Sequence, residues 1–366
     1  MNNLKAFIVY HPGETLLDEL DERGISQSDF AKIIDRPLNA VNAIIKGKKA
    51  ITPETANSIA VALDTSPELW LNMQTQYDLY SLSQEEDNRE VIRKRAKLYS
   101  LIPVRELIKR GRIKAEENID ILIKKITYSL GIKSLNDFEN QVAVESTYVH
   151  FRKSDHGETN RNFLYTWRKI GEVEAKKIKC SDFNKQELIE FAKRIKKYSS
   201  EDKEIEKIVM ALRKIGVRLI FLEHFPRTKV DGAVFWFEKK PVILMSFRYD
   251  RIDNFYFTLL HEIGHIILHK NESFYDDTKV VDETKNKQCT QVDDFAQEHL
   301  VPRSVRIKIG KGTITSKVLY DKSDELGIHP GLLIGALQHD GVLKYSQFRK
   351  GLVKIKHTIP ANMMVN

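Results

Sequence analysis

The nine residues HEIGHIILH, from His261 to His269, hold more potential chemistry than any other short stretch of the sequence. A helix advances about 100° and about 1.5 Å per residue, so residues four apart share a face and lie about 6 Å apart. His261 and His265 can therefore offer both imidazoles to one zinc ion, at bonds near ~2 Å. Glu262, one step round the helix, is close enough to hold a water molecule and take its proton. This is the spacing of a zinc-dependent peptidase; the competing reading is a pair of core histidines on a buried helix.

Two imidazoles leave a zinc site one protein ligand short. His269 does not supply it, because eight residues of helix put it about 12 Å along the axis from His261. Packing or hydrogen bonding suits it better. The next helical stretch, QCTQVDDFAQEHLVP, offers Cys289, Asp293 and Asp294. Cys289 and Asp293 are four apart and share a face with Ala296 and Leu300, and a thiolate binds zinc at about 2.3 Å. Spacing leaves His156, His224 and His339 open, with no motif to recommend them.

These residues need a frame. VRLIFLEHF, GAVFWFE and PVILMSF are apolar, β-branched and aromatic runs punctuated by Pro226, Gly232 and Pro241, which predicts three strands. NFYFTLLHEIGHIILH has no breaker but Gly264 and predicts one long buried helix. Residues 206–366 thus read as an α+β domain with a small sheet and an HExxH helix. The hairpin GAVFWFEKKPVILMS could take a peptide by strand addition. Arg248 and Tyr249 are near enough in sequence to steady an oxyanion, although a structural role suits them better.

Residues 1–80 predict an all-α domain of five short helices. Ser26 with Asp29 forms a carboxylate variant of the capping box, and Thr52-Pro53 is a cap followed by a first-turn proline. The second and third helices, parted by a tight turn at Pro37, suit a helix-turn-helix. The later helix, about 38–46, would then enter a major groove. Asn39 and Asn42 are suited to pairing with adenine. Gln27, Arg36, Lys46, Lys48 and Lys49 are placed for phosphates. A small protein-binding bundle is the alternative. It is favoured by seven Lys and Arg against eleven Asp and Glu in this stretch, a net −4. Residues 81–205 predict a basic helical linker region. Within it, 81–200 carry 26 basic against 18 acidic residues, net +8. A solvated helical face explains that charge more simply than a dedicated contact.

With 366 residues and a formal charge of +8, the chain is long enough for two or three domains. Its two cysteines, Cys180 and Cys289, make no disulfide framework. No apolar run nears the ~20 residues that span a bilayer. A cytoplasmic protein with no membrane partner is expected.

Four segments, HPGETLLDEL, SQSDFAKIIDRP, IIKGKKAITPETA and SPELWLNMQTQYDLY, resemble the HigA-type antitoxin group of helix-turn-helix repressors. The resemblance implies a homodimer that binds an inverted-repeat operator in double-stranded DNA. The stretch from DGAVFWFEKKPVILMS through HEIGHIILH to VDDFAQEHLVP is similar to the ImmA/IrrE metallopeptidases, a zincin-like fold. GIHPGLLIGALQHDGVL resembles the C-terminal segment of such domains when fused to HigA-type ones. The resemblance implies Zn2+ held by His261, His265 and a third ligand, with Glu262 catalytic. Counted back from Pro302, the family's ligand glutamate falls on Cys289 here. Gln291 is a second departure. Cysteine either replaces glutamate on the zinc or marks a site that no longer works.

Two functions follow. One is a DNA-binding regulator or antitoxin whose zinc peptidase domain cleaves a regulatory protein, such as a repressor or toxin-system partner. The other is a non-catalytic antitoxin or autorepressor, with a peptidase-like domain that senses or binds a partner.

Overall fold

The computed structural model describes residues 9–83, 86–148, 160–200, 204–269, 274–275 and 283–365, with side chains at all of these but 83, 86–87, 145–148, 274–275 and 283–289. The chain divides into two units, Met1–Lys94 and Arg95–Asn366.

In the first unit, local capping sets each helix. His11 opens α1 (Pro12–Glu22), its Nδ1 accepting from the Gly13 amide at 2.9 Å, with Pro12 at the first helical position. Ser26 opens α2 (Gln27–Ile33), accepting from the Asp29 amide at 3.1 Å while its hydroxyl donates to the Asp29 carboxylate at 2.7 Å. This is the predicted capping box. Asp35 turns the chain at φ 49°, and α3 (Leu38–Ile45) follows Pro37. Thr52 and Pro53 start α4 (Pro53–Leu63), and α5 (Pro67–Ser83) follows. Leu16, Leu20, Phe30, Val41, Ile44, Ile59, Leu63 and Trp70 share one core. Gly13 is the contact between α1 and α3: a Cβ there would lie 2.1 Å from the Ile44 carbonyl oxygen.

The boundary at Lys94 falls within α6 (Glu86–Leu101). The second unit continues with α7 (Val104–Lys109), α8 (Ile119–Leu130), α9 (Leu135–Tyr148), α10 (Arg161–Lys177), α11 (Lys185–Arg194) and α12 (Glu204–Ile215). Then come β1 (Arg218–Leu222), β2 (Gly232–Phe237), β3 (Lys240–Met245), α13 (Ile252–Leu268), β4 (Phe274–Tyr275) and α14 (Glu283–Leu300). After them run α15 (Arg303–Gly310), α16 (Ser316–Leu326), α17 (Pro330–His339) and β5 (Met364–Val365). The strand order is β4-β2-β3-β1-β5. β1 runs parallel to β3 and β5, and β2 antiparallel to β3 and β4. Glu238 and Lys239, both at positive φ, make the two-residue turn of the β2–β3 hairpin.

Strand alternation distributes the core between two layers. Leu219, Phe221, Val234, Ile243 and Met245 pack with α11 to α17. Their neighbours Ile220, Leu222, Ala233, Phe235, Val242 and Leu244 pack with apolar residues of α6 to α10. The sheet is thus buried on both faces. Gly171 lets α10 approach β3, since a Cβ there would meet Leu244 at 2.6 Å. The predicted fold class is observed: a helical N-terminal unit, a helical middle and an α+β region carrying the HExxH helix. Among the described residues, no helix is long and apolar enough to cross a membrane.

Candidate metal centre and nucleic-acid interface

The HExxH residues lie in the last three turns of α13, in its most buried half. His261, Glu262 and His265 are 3%, 0% and 2% exposed. The two Nε2 atoms lie 3.0 Å apart. Two nitrogens bound to one tetrahedral zinc at ~2.0–2.1 Å would sit about 3.3 Å apart, so the imidazoles converge as a pair of ligands must. His261 Nδ1 donates to Asp293 Oδ1 at 2.9 Å, which leaves the lone pair on Nε2, toward His265. Such a carboxylate behind a ligand histidine fixes tautomer and ring plane. Burial holds the His265 imidazole well below its ordinary pKa, and the neighbouring His261 and His269 add to this. Neutral imidazole is the form that binds metal.

The crossing of α13 and α14 depends on Gly264, whose missing side chain lets Val292 and Phe295 come within 3.2 Å and 3.1 Å of its Cβ position. Asp293 is thereby brought onto His261. Across the sheet side, Gly232 at the start of β2 faces Glu262. A Cβ there would stand 2.6 Å from Glu262 Oε1 and 2.8 Å from Thr258 Cγ2. The strand backbone thus fixes where the carboxylate can stand.

Of the expected ligands, the structure brings His261 and His265 together. Cys289 lies in α14, one turn before Asp293, and its side chain is outside the described residues. Asp293 serves the far nitrogen of His261, and Asp294 is exposed. His269 follows the last helical residue, its ring 5.4 Å from that of His265. Among the described residues, no three His, Cys, Asp or Glu are grouped to hold a metal ion. His156 is outside the described residues. His224 lies just beyond β1, its carbonyl accepting from Arg110 at 2.8 Å. Arg248 donates to the Lys229 carbonyl at 2.7 Å and lies over Tyr249 at 5.2 Å.

Spacing left His339 open as a ligand with no motif to recommend it; in the structure its ring stacks on Phe257, which also meets the His261 ring, each at 6.1 Å between centroids. Gln297, one turn after Asp293 on α14, contacts His339 Nδ1 at 3.0 Å. Spacing along one helix could not announce a contact among α13, α14 and α17.

In the first unit, α2 and α3 meet at the tight turn expected of a helix-turn-helix. Asn39, Lys46 and Lys48 are exposed; Gln27, Arg36 and Asn42 are half-buried. Asn42 Oδ1 is buried with no hydrogen-bond partner among the described residues. Asn39 is therefore the asparagine that can present both amide atoms to a base edge.

The sequence matches the helix-turn-helix family HTH_3 over residues 16–70 and the IrrE N-terminal-like domain, Peptidase_M78, over residues 213–314. It is 33% identical over 84 residues to the HTH-type transcriptional regulator YddM of Escherichia coli strain K12, covering 23% of this chain and 86% of that protein. The chain belongs to the HTH-type regulators. It joins that domain to an IrrE-like peptidase domain. An HTH-type regulator of Haemophilus influenzae is 41% identical over 71 residues, covering 19% of this chain and 66% of that protein. Among solved structures, a HigA-family antidote protein of Coxiella burnetii is 34% identical, with TM-score 0.22, over 24% of this chain and 95% of its own. The Pseudomonas aeruginosa antitoxin HigA, solved with the higBA promoter, is 30% identical, with TM-score 0.22, over 22% and 89%.

Proposed function

We propose that the chain is a DNA-binding regulator of the antitoxin kind whose IrrE-like domain is a zinc peptidase that cleaves a regulatory protein, such as a repressor or a toxin-system partner. The observation that carries the hydrolytic half is the buried imidazole pair, 3.0 Å between Nε2 atoms, with His261 oriented by Asp293. His261, His265 and Cys289 would hold the metal, and residues 206–366 would form the hydrolytic domain. Bound zinc supplies Lewis acidity to the scissile carbonyl. Glu262 holds the attacking water and takes its proton as the water oxygen bonds to the carbonyl carbon. It then passes that proton to the nitrogen as the C–N bond breaks.

The regulatory half rests on α3. As a homodimer the chain reads an inverted repeat, with Asn39 toward bases and Gln27, Arg36, Lys46 and Lys48 toward phosphates. The match to HTH-type regulators supports this, and the P. aeruginosa HigA solved with its promoter DNA is consistent with it. Such a protein works in the cytoplasm, where the operator is.

The test compares cells carrying the wild type or Glu262→Gln by enrichment of newly formed protein N-termini. The expected result is at least one cut that needs Glu262, in a regulator or toxin-system protein. Identical N-terminal profiles from two equally zinc-loaded proteins would remove the peptidase reading.

One specific observation favours a second reading, a non-catalytic antitoxin or autorepressor: Cys289 stands where the family register has glutamate. Metal analysis separates the two. The first reading expects one zinc per chain in wild type and Cys289→Glu and loss in Cys289→Ala; zinc in none of them supports the second.

A further inference from the structure

We infer that His339 is a substrate-binding catalytic residue of this peptidase, its Nε2–H donating a hydrogen bond to the scissile carbonyl oxygen as that oxygen takes on negative charge. The inference rests on the peptidase reading above and adds a residue that lies beyond the matched domain, which ends at 314.

A fixed hydrogen-bond chain sets the tautomer. Arg306 is 5% exposed and paired with Asp340. Its Nη1 donates to Gln297 Oε1 at 3.0 Å, so the Gln297 amide must turn its NH2 the other way. That NH2 lies 3.0 Å from His339 Nδ1. An NH2 group only donates, so Nδ1 accepts and the ring proton resides on Nε2. The outcome is an imidazole that accepts at Nδ1 and offers its N–H at Nε2, backed through Gln297 by a buried guanidinium.

Placement gives that donor its task. Asp293 and Gln297 are one turn apart on α14, about 6 Å, and each grips one histidine. Asp293 orients His261, the expected metal ligand, and Gln297 orients His339. Both rings lie against Phe257. His261 is sealed at 3% exposure, whereas the His339 side chain is 57% exposed. One imidazole is buried with His265, as a metal ligand would be, and the other stands exposed to solvent on the far side of the shared Phe257 ring. Donors fixed before the reaction, aimed where charge develops, are a large source of catalysis.

Two measurements on the full chain test this. In the zinc-free protein, nitrogen NMR of the histidine rings, with His339→Ala to assign the signal, should find His339 with Nδ1 unprotonated and Nε2 protonated. The opposite tautomer overturns the inference. In cells, His339→Ala should keep its zinc and its fold but slow the Glu262-dependent cut about 10²–10³-fold. His339→Gln, whose amide can still donate, should recover much of that loss. Full cutting by His339→Ala sinks the inference while leaving the peptidase reading intact. Wild type and Glu262→Gln giving the same N-termini sinks both, and the Glu262 arm identifies that outcome.

Discussion

At Gly232 a missing methyl group decides where Glu262 can stand. The Glu262 carboxylate and the Thr258 methyl fill the space a Cβ would take, at 2.6 Å and 2.8 Å. Gly232→Ala is therefore expected to displace Glu262 while leaving both histidines in place. Peptide cutting should fall by at least an order of magnitude with zinc content unchanged, and stability by about 1–3 kcal/mol. Metal analysis beside the N-terminal assay reads both; zinc lost together with activity would mean the whole helix had shifted. HEIGH was legible from spacing alone, because both imidazoles lie on one helix whose geometry is known in advance. Asp293 was legible as a residue facing that helix, not as the partner of His261 Nδ1. The setting of His339 was illegible, because its neighbours Phe257 and Gln297 come from two other helices far from it in sequence.

Helix starts were readable wherever a side chain closes its own first turn, as at Ser26, Thr52 and Pro53. The three long strands were readable from their apolar runs. Two-residue strands such as β4 and β5 carry no period and exist only through their partners on β2 and β1. The packing of α8 to α10 on the sheet was equally silent, since an apolar helix face names no partner. α12 brings a titratable group into the core at its first residue. Burial raises the Glu204 pKa from 4.5 to about 7, against the smaller opposing effect of a hydrogen bond from Tyr256. A raised folded pKa means that its contribution is complete below about pH 4.5 and is lost as pH rises through about 7. Glu204→Gln should then match the wild type at pH 4 and exceed it by roughly 1–3 kcal/mol at pH 8. Denaturant unfolding at the two pH values checks this; equal gains at both would assign the effect to packing.

The whole chain combines an acidic N-terminal stretch with a basic remainder, so net charge does not announce DNA binding; only the local cluster from Arg36 to Lys49 does. Operator binding should therefore depend on few cations. Replacing Lys46 and Lys48 by alanine should flatten the plot of log affinity against log salt by about 2. Asn39→Ala should leave that slope alone and cost about 1–3 kcal/mol on the specific operator only. Titration across salt concentrations on operator and scrambled duplexes distinguishes these outcomes, and an unchanged slope would remove the two lysines from the interface.

The sheet of the second unit has a further consequence. Because Ile243 looks toward the HExxH layer and Leu244 toward the helices of the other layer, consecutive strand residues answer to different neighbours. The sheet acts as a party wall between two rooms. Furnishings on either side can be exchanged independently over evolutionary time, and the room without the HExxH helix can acquire a new surface or a new sensor at little risk to the other. The wall itself has no such freedom, for sliding one strand by a single residue would turn every brick to face the wrong room.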